Sequence, residues 1–93
     1  MRTIRRTSAF KRDYKWENKG KHHKTLEGDL INVVAMLAAD EPLPRRHHDH
    51  PLAGDWKDHR DCHVRPDLVL IYRKPDSKAL DLVRLGSHSE LGL

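Results

Sequence analysis

Leu68-Val69-Leu70-Ile71-Tyr72 is continuously apolar, and five such residues in a row suit a central β-strand covered on both faces. Turn sequences bound it on each side, Arg65-Pro66-Asp67 before and Pro75-Asp76-Ser77 after; proline presets φ, while Asp and Ser bond their own backbone. Beyond those turns lie two more strand-forming segments. From about Trp56 to Val64 the side chains alternate, Cys62 and Val64 sharing one face while His59, Asp61 and His63 share the other. Leu80 to Leu85 supplies the third segment, and the three together read as an antiparallel meander.

Upstream the period changes. Leu26, Leu30, Val33 and Leu37 follow the 3-and-4 spacing of one helical face, with Ile31 and Val34 expected to broaden the stripe toward the core. This helix should start near Thr25, where Gly28 in its first turn costs about 1 kcal/mol relative to alanine. Pro42 and Pro44 end it, since the residue before a proline is pushed toward extended geometry. Thr3 to Thr7 reads as a short strand with Ile4 inward. Thr7 or Ser8 then caps a first, very basic helix that carries Phe10 and Tyr14 four residues apart and ends across Asn18–His23. The expected fold class is α+β, in the order β-α-α-β-β-β, with two N-terminal helices packed on a mostly antiparallel sheet. Residues 1–93 suit a single domain.

Composition excludes several classes. The longest apolar run, Val33 to Ala39, has seven residues against the ~20 needed to cross a bilayer, so no membrane association is expected. The basic amino terminus lacks the apolar stretch of a secretory signal, which makes a cytosolic address the expectation. Cys62 stands alone, so neither an internal disulfide nor a cysteine-based zinc module can form. Charge is unevenly spread: residues 1–24 hold nine Lys/Arg against two acids, net +7, and residues 25–93 hold nine against twelve, net −3. Such a basic segment attracts polyanions or an acidic partner, although a charge run is often no more than a solvated helix face.

Five of the eight histidines fall between His47 and His63. A meander brings strand ends together, and His50, His63, Asp67 and His88 all sit at the expected sheet rims. Histidine both takes and gives a proton near neutral pH. Cleaving RNA with its own 2′-hydroxyl needs a base, an acid and a cation for the phosphate, and several His, an Asp and an Arg meet that need with no metal or other cofactor expected. The plainer readings are a surface histidine at a strand end, a His63–Asp67 pair across a turn, and zinc ligation by His47, His48 and His50. Zinc has poor support here, because adjacent histidines rarely aim at one ion. Cys62 and Trp56 read as packing residues. Gly-rich phosphate loops, nucleophile elbows and zinc-protease helices have no counterpart in the sequence.

Four strings in register carry a resemblance: His50-Pro51-Leu52-x-Gly54-x-Trp56, Arg60-Asp61-x-His63-Val64-x-Pro66-Asp67, Leu70-Ile71-Tyr72 and Arg84-x-Gly86-Ser87-His88. They resemble the YafQ branch of RelE-type bacterial toxins over residues 50–88. The resemblance implies a RelE-like fold and a ribosome-dependent mRNA endonuclease, the toxin half of a type II toxin–antitoxin pair in the bacterial cytoplasm, with catalytic residues at His50, His63, Asp67 and His88. It also implies a DinJ/RelB-like antitoxin that wraps the toxin, and contact with operator DNA only through that complex. The chain departs from the pattern in lacking an aromatic residue a few positions past His88 and in having Leu68 where a tryptophan sometimes follows the aspartate. Both changes put stacking on substrate, and hence codon preference, in question more than the chemistry.

The expected reaction is attack of the 2′-hydroxyl on the adjacent phosphate, leaving a 2′,3′-cyclic phosphate and a 5′-hydroxyl. His50 or Asp67 takes the proton, His88 donates one to the leaving oxygen, His63 positions the phosphate, and Arg84 or Arg60 offsets its charge. Lys11, Arg12 and Lys15 are expected to dock ribosomal RNA through its phosphates. Three rivals remain at this point: a non-catalytic RNA- or ribosome-binding module, a metal-dependent nuclease built on His47, His48 and His50, and a degenerate toxin that only binds antitoxin.

Overall fold

The computed structural model describes residues 1–20 and 24–93, so the part of the expected Asn18–His23 helix end that spans 21–23 lies outside the described residues. The elements are β1 (Thr3–Arg6), α1 (Ser8–Glu17), α2 (Leu26–Ala38), β2 (His50–Pro51), β3 (Arg60–Arg65), β4 (Leu68–Arg73), β5 (Ala79–Gly86) and α3 (His88–Leu91), with 3-10 turns at Arg45–His47 and Gly54–Trp56. The sheet order is β1-β5-β4-β3-β2. β1 runs parallel to β5 and every other pairing is antiparallel.

The all-apolar run at 68–72 is the middle strand, and its two faces enter two different cores. Leu68, Leu70 and Tyr72 join Cys62, Leu80 and Leu85 under α1 and α2, meeting Phe10, Leu26, Val33 and Leu37. Val69 and Ile71 point the other way, where Leu91, Leu52, Trp56 and Val83 cover them. Thr7 caps α1 as its sequence suggested, its side chain accepting from the Phe10 N–H at 3.0 Å.

Two inward expectations fail for a common reason, which is position at a border. Ile4 is 43% exposed because β1 is an edge strand held by one ladder only. Ile31 is 56% exposed, since on α2 it lies roughly 125° around from the centre of the stripe formed by Leu30, Val33 and Leu37. Both line an open groove of about 570 Å³ between β1, α1 and α2. The strand expected from about Trp56 starts instead at Arg60. Gly54 (φ 64°) and Asp58 (φ 70°) take left-handed backbone that no strand continues through, and Trp56 falls in the 3-10 turn between them. The two-residue strand β2 was not foreseen; it sets His50 opposite Asp61.

Candidate active site

Strand alternation puts Asp61 and His63 on the sheet face away from α1 and α2. Beyond His63 the β3–β4 register shifts before Arg65, a bulge of the kind that re-aims a strand's side chains. The loop before β2 then brings further imidazoles over that face. His47 Nδ1 donates to the His63 carbonyl at 2.6 Å, fastening the 3-10 turn to β3. Left-handed backbone at His48 (φ 46°) follows, and the His48 ring comes to 5.1 Å from the His63 ring, centroid to centroid. Asp49 anchors the loop from the other side of the sheet, accepting from the Tyr72 hydroxyl at 2.6 Å and from Arg60 Nε at 3.1 Å. Burial, with the Asp49 carboxylate beside it, pushes the Tyr72 hydroxyl well above its ordinary value and keeps it a donor.

His88 arrives from β5. Ser87 and Glu90 form a capping box, Ser87 Oγ accepting from the Glu90 N–H at 3.1 Å and Glu90 Oε1 accepting from the Ser87 N–H at 2.8 Å. Gly86 permits this closeness, because a Cβ there would lie 3.2 Å from Glu90 Oε1. The fixed turn sets the His88 ring 4.9 Å from the His63 ring. His48, His63 and His88 thus form a row of rings, with His50 and Asp61 alongside.

His50 Nδ1 lies 2.7 Å from the His48 carbonyl and 3.2 Å from Asp61 Oδ1. A carbonyl can only accept, so Nδ1 carries the hydrogen and directs it there, which is the tautomer whose Nε2 holds the lone pair. Asp61 Oδ1 is consequently buried without a hydrogen bond. Burial raises the Asp61 carboxyl above its usual range, against the pull of His50, His63 and His88. His63 is pushed down, first by burial and then by the neighbouring His88 and His48, which favours its neutral form.

The structure therefore brings His50, His63 and His88 together. Asp67 sits exposed in the β3–β4 turn, lining a cavity with Ser87, the residue before His88. The two arginines are each engaged by a carboxylate. Arg84 bonds Asp13 of α1 through Nε at 2.6 Å and a terminal nitrogen at 3.3 Å, and Asp13 also takes the Leu85 N–H, which locks α1 onto β5. Arg60 alternates onto the Cys62 face and is held by Asp49. Lys11, Arg12 and Lys15 are exposed along α1.

Sequence reasoning named Asp61 only for its strand face and motif and His48 only as a zinc ligand, and gave neither a role in the site. Asp61 was legible in part: it shares a face with His63 on a strand beside the central one, so its carboxylate had to be buried. His48 gave no such signal. His47, His48 and His50 do not converge as a zinc site needs, since His47 is turned onto the β3 backbone; among the described residues no three of His, Cys, Asp and Glu are placed to hold a metal ion. Cys62 is a core residue whose thiol is pushed up by burial.

A family model for the bacterial toxin of type II toxin–antitoxin systems, YafQ, matches residues 2–92. The mRNA interferase toxin YafQ of Escherichia coli K12 is 37% identical over 91 residues, covering 98% of this chain and 96% of that protein. The crystal structure of the E. coli DinJ–YafQ toxin–antitoxin complex contains a chain that superposes with a TM-score of 0.83 at 37% identity, over 97% of this chain and 96% of that one. A metal-bound toxin from Helicobacter pylori superposes with a TM-score of 0.81 at 44% identity, over 98% and 99%.

Proposed function

We propose, because the chain belongs to the YafQ family of toxins from bacterial type II toxin–antitoxin systems, that it is an mRNA interferase: an endoribonuclease that cuts message in the ribosomal A site. The observation that carries the reading is the row of imidazoles over Asp61, with the His63 and His88 rings 4.9 Å apart. One scissile phosphate can touch groups gathered this closely.

In this reading the 2′-oxygen attacks phosphorus, the bond from phosphorus to the 5′-oxygen breaks, and a 2′,3′-cyclic phosphate and a 5′-hydroxyl result. The Nε2 lone pair of His50 suits it to take the 2′-hydroxyl proton, with Asp67 the other candidate. His88, exposed at the start of α3, gives a proton to the leaving 5′-oxygen. His63, neutral, holds the phosphate by an N–H. With Arg84 and Arg60 engaged by Asp13 and Asp49, the positive charge opposite the phosphate comes from imidazolium, which the buried Asp61 carboxylate favours.

Among the described residues no three of His, Cys, Asp and Glu are grouped to hold a metal ion, and this reading routes no step through one. An antitoxin of the DinJ kind is the protein partner, as it is for the E. coli relative, and operator DNA is met only through that complex. The ribosome and its message are the other partners. No described helix is long and apolar enough to cross a membrane, and the cytoplasm, where ribosomes are, is the site of action. The test is end mapping of message in purified translation, comparing the parent with His88→Gln, each added either directly or after the toxin alone has been stripped with EDTA and the chelator removed. The parent should leave new 5′-hydroxyl ends with either preparation, and the variant should be slower by about 10²–10⁴-fold. Parent-rate cleavage by the variant, or cleavage abolished by stripping the toxin and restored by adding back a transition metal, would refute the mechanism.

A further inference from the structure

The chain has two tryptophans, two tyrosines and one phenylalanine. Phe10 and Tyr72 are buried, Tyr14 packs on the helix-side core, and Trp56 packs on the opposite one. Trp16 differs, being 69% exposed in the last turn of α1. A single exposed apolar side chain is ordinary, so exposure alone signifies little. Its surroundings are what matter.

Trp16, Glu17, Lys19 and Gly20 line a cavity of about 390 Å³ on one side, and Asp67, Ser87 and Glu90 line it on the other. That volume is in the range of roughly 300–1,000 Å³ typical of small-molecule sites. Ser87 immediately precedes His88 and Asp67 is itself a candidate site residue, so the cavity adjoins two segments that carry the expected site. Arg12 lies one turn before Trp16 on α1, and Lys19 follows in the turn just after the helix ends, so the indole has a cation on either side along the chain. An indole between two cations matches what a single nucleic-acid strand presents, a base flanked by phosphates. The facing carboxylates repel phosphate and accept from the N–H groups on base edges. A phosphate entering here is therefore directed to the imidazoles and cations, and its base to the cavity.

We propose that Trp16 is the stacking platform for the base next to the scissile phosphate, the aromatic contact with message in this toxin. This rests on the nuclease reading above, and it adds a substrate-positioning residue from α1, an element not otherwise assigned to the site. Trp16 contributes no proton; it fixes where the strand lies while the histidines act.

The test uses the full chain carrying His88→Gln, to prevent cleavage, and Trp56→Phe, to leave Trp16 as the sole fluorophore. Titration with a short oligoribonucleotide should quench the Trp16 emission. Replacing the nucleotide beside the cleavage position with an abasic one should weaken binding about 5- to 150-fold, the range measured for base–aromatic stacking. Trp16→Ala, followed by anisotropy of labelled RNA, should weaken binding of ordinary RNA by a similar factor and leave abasic RNA unaffected, whereas Trp16→Phe should restore most of the affinity. A purely structural role would not distinguish the two RNAs. Equal binding of ordinary and abasic RNA, or Trp16→Ala lowering both alike, overturns the inference. If the base-dependent quenching is found but the parent toxin cuts no message, the stacking site stands and the nuclease reading falls; the reverse pattern removes Trp16 and leaves the nuclease.

Discussion

Replacing Asp61 with asparagine separates the chemistry of this site from its stability. The carboxylate is buried, Oδ1 has no hydrogen bond, and burial raises its pKa. An unsatisfied buried polar group costs about 1–3 kcal/mol. Asparagine keeps the shape and removes the charge, so about 1 kcal/mol should be recovered at pH 7.5, or about 4–8 °C in Tm for a domain of this size. The sign follows from linkage. A carboxyl whose folded pKa lies above its unfolded value near 3.9 makes the native state the stronger proton binder between the two. The parent therefore loses stability as pH rises through that window, and the gap to Asp61→Asn, closed near pH 3.5, is fully open at pH 7.5. Activity should move the opposite way. At the 3.2 Å separating Asp61 Oδ1 from His50 Nδ1, opposite charges attract by about 5 kcal/mol at an effective dielectric near 20 and about 1 kcal/mol in bulk water. The His50 side chain is half exposed, which puts the effect near the lower figure and implies about a tenfold loss in cleavage. Circular-dichroism melts at pH 3.5 and 7.5, with single-turnover cleavage on programmed ribosomes, measure both. A lower Tm at pH 7.5 together with parent-rate cleavage would refute the argument that Asp61 supports imidazolium charge at the expense of stability.

Tyr72→Phe removes the hydroxyl that Asp49 accepts at 2.6 Å and should cost about 1–2 kcal/mol, a Tm drop of about 4–15 °C, while slowing cleavage because the His48–His50 loop loses an anchor; an unchanged melt would show that Arg60 alone holds the loop. Neutralising Lys11, Arg12 and Lys15 together should weaken ribosome binding and lower its dependence on log[salt] by about two to three, with the melt unaltered, since all three side chains are exposed; identical binding across a salt series would remove α1 from the docking surface. His63→Gln should flatten the loss of stability on acidification from pH 6.5 downward. A histidine whose folded pKa is depressed takes up its proton more readily when unfolded, so its contribution is present above 6.5 and lost as pH falls through the folded value; parallel acid melts for the two proteins would contradict this.

Helix and strand periodicity, caps and turns were legible because each is decided within a few residues. Thr7 caps whatever follows it, the apolar spacing of 26–37 specifies a helical stripe, and five apolar residues at 68–72 require cover on both faces. The strand face shared by Asp61 and His63 could be read from alternation, and the shared motifs put His50, His63 and His88 within one site. Borders were harder. Ile4 and Ile31 have the composition of core residues but sit where the sheet and the stripe end, and only the assembled neighbours decide exposure there.

Local sequence by itself determined which side chains share a face and where the chain turns. The tertiary structure alone decided which of them meet across the sheet. His50 reaches Asp61 through a two-residue strand too short to leave a period, and Arg84 and Arg60 were claimed by Asp13 and Asp49 from distant segments. Trp16 came to share a cavity with Asp67 and Ser87 only because α1 packs against β5. Spacing along a chain fixes direction within an element; ion pairing, desolvation and strand register, which select partners, act through space and leave no trace in the local pattern.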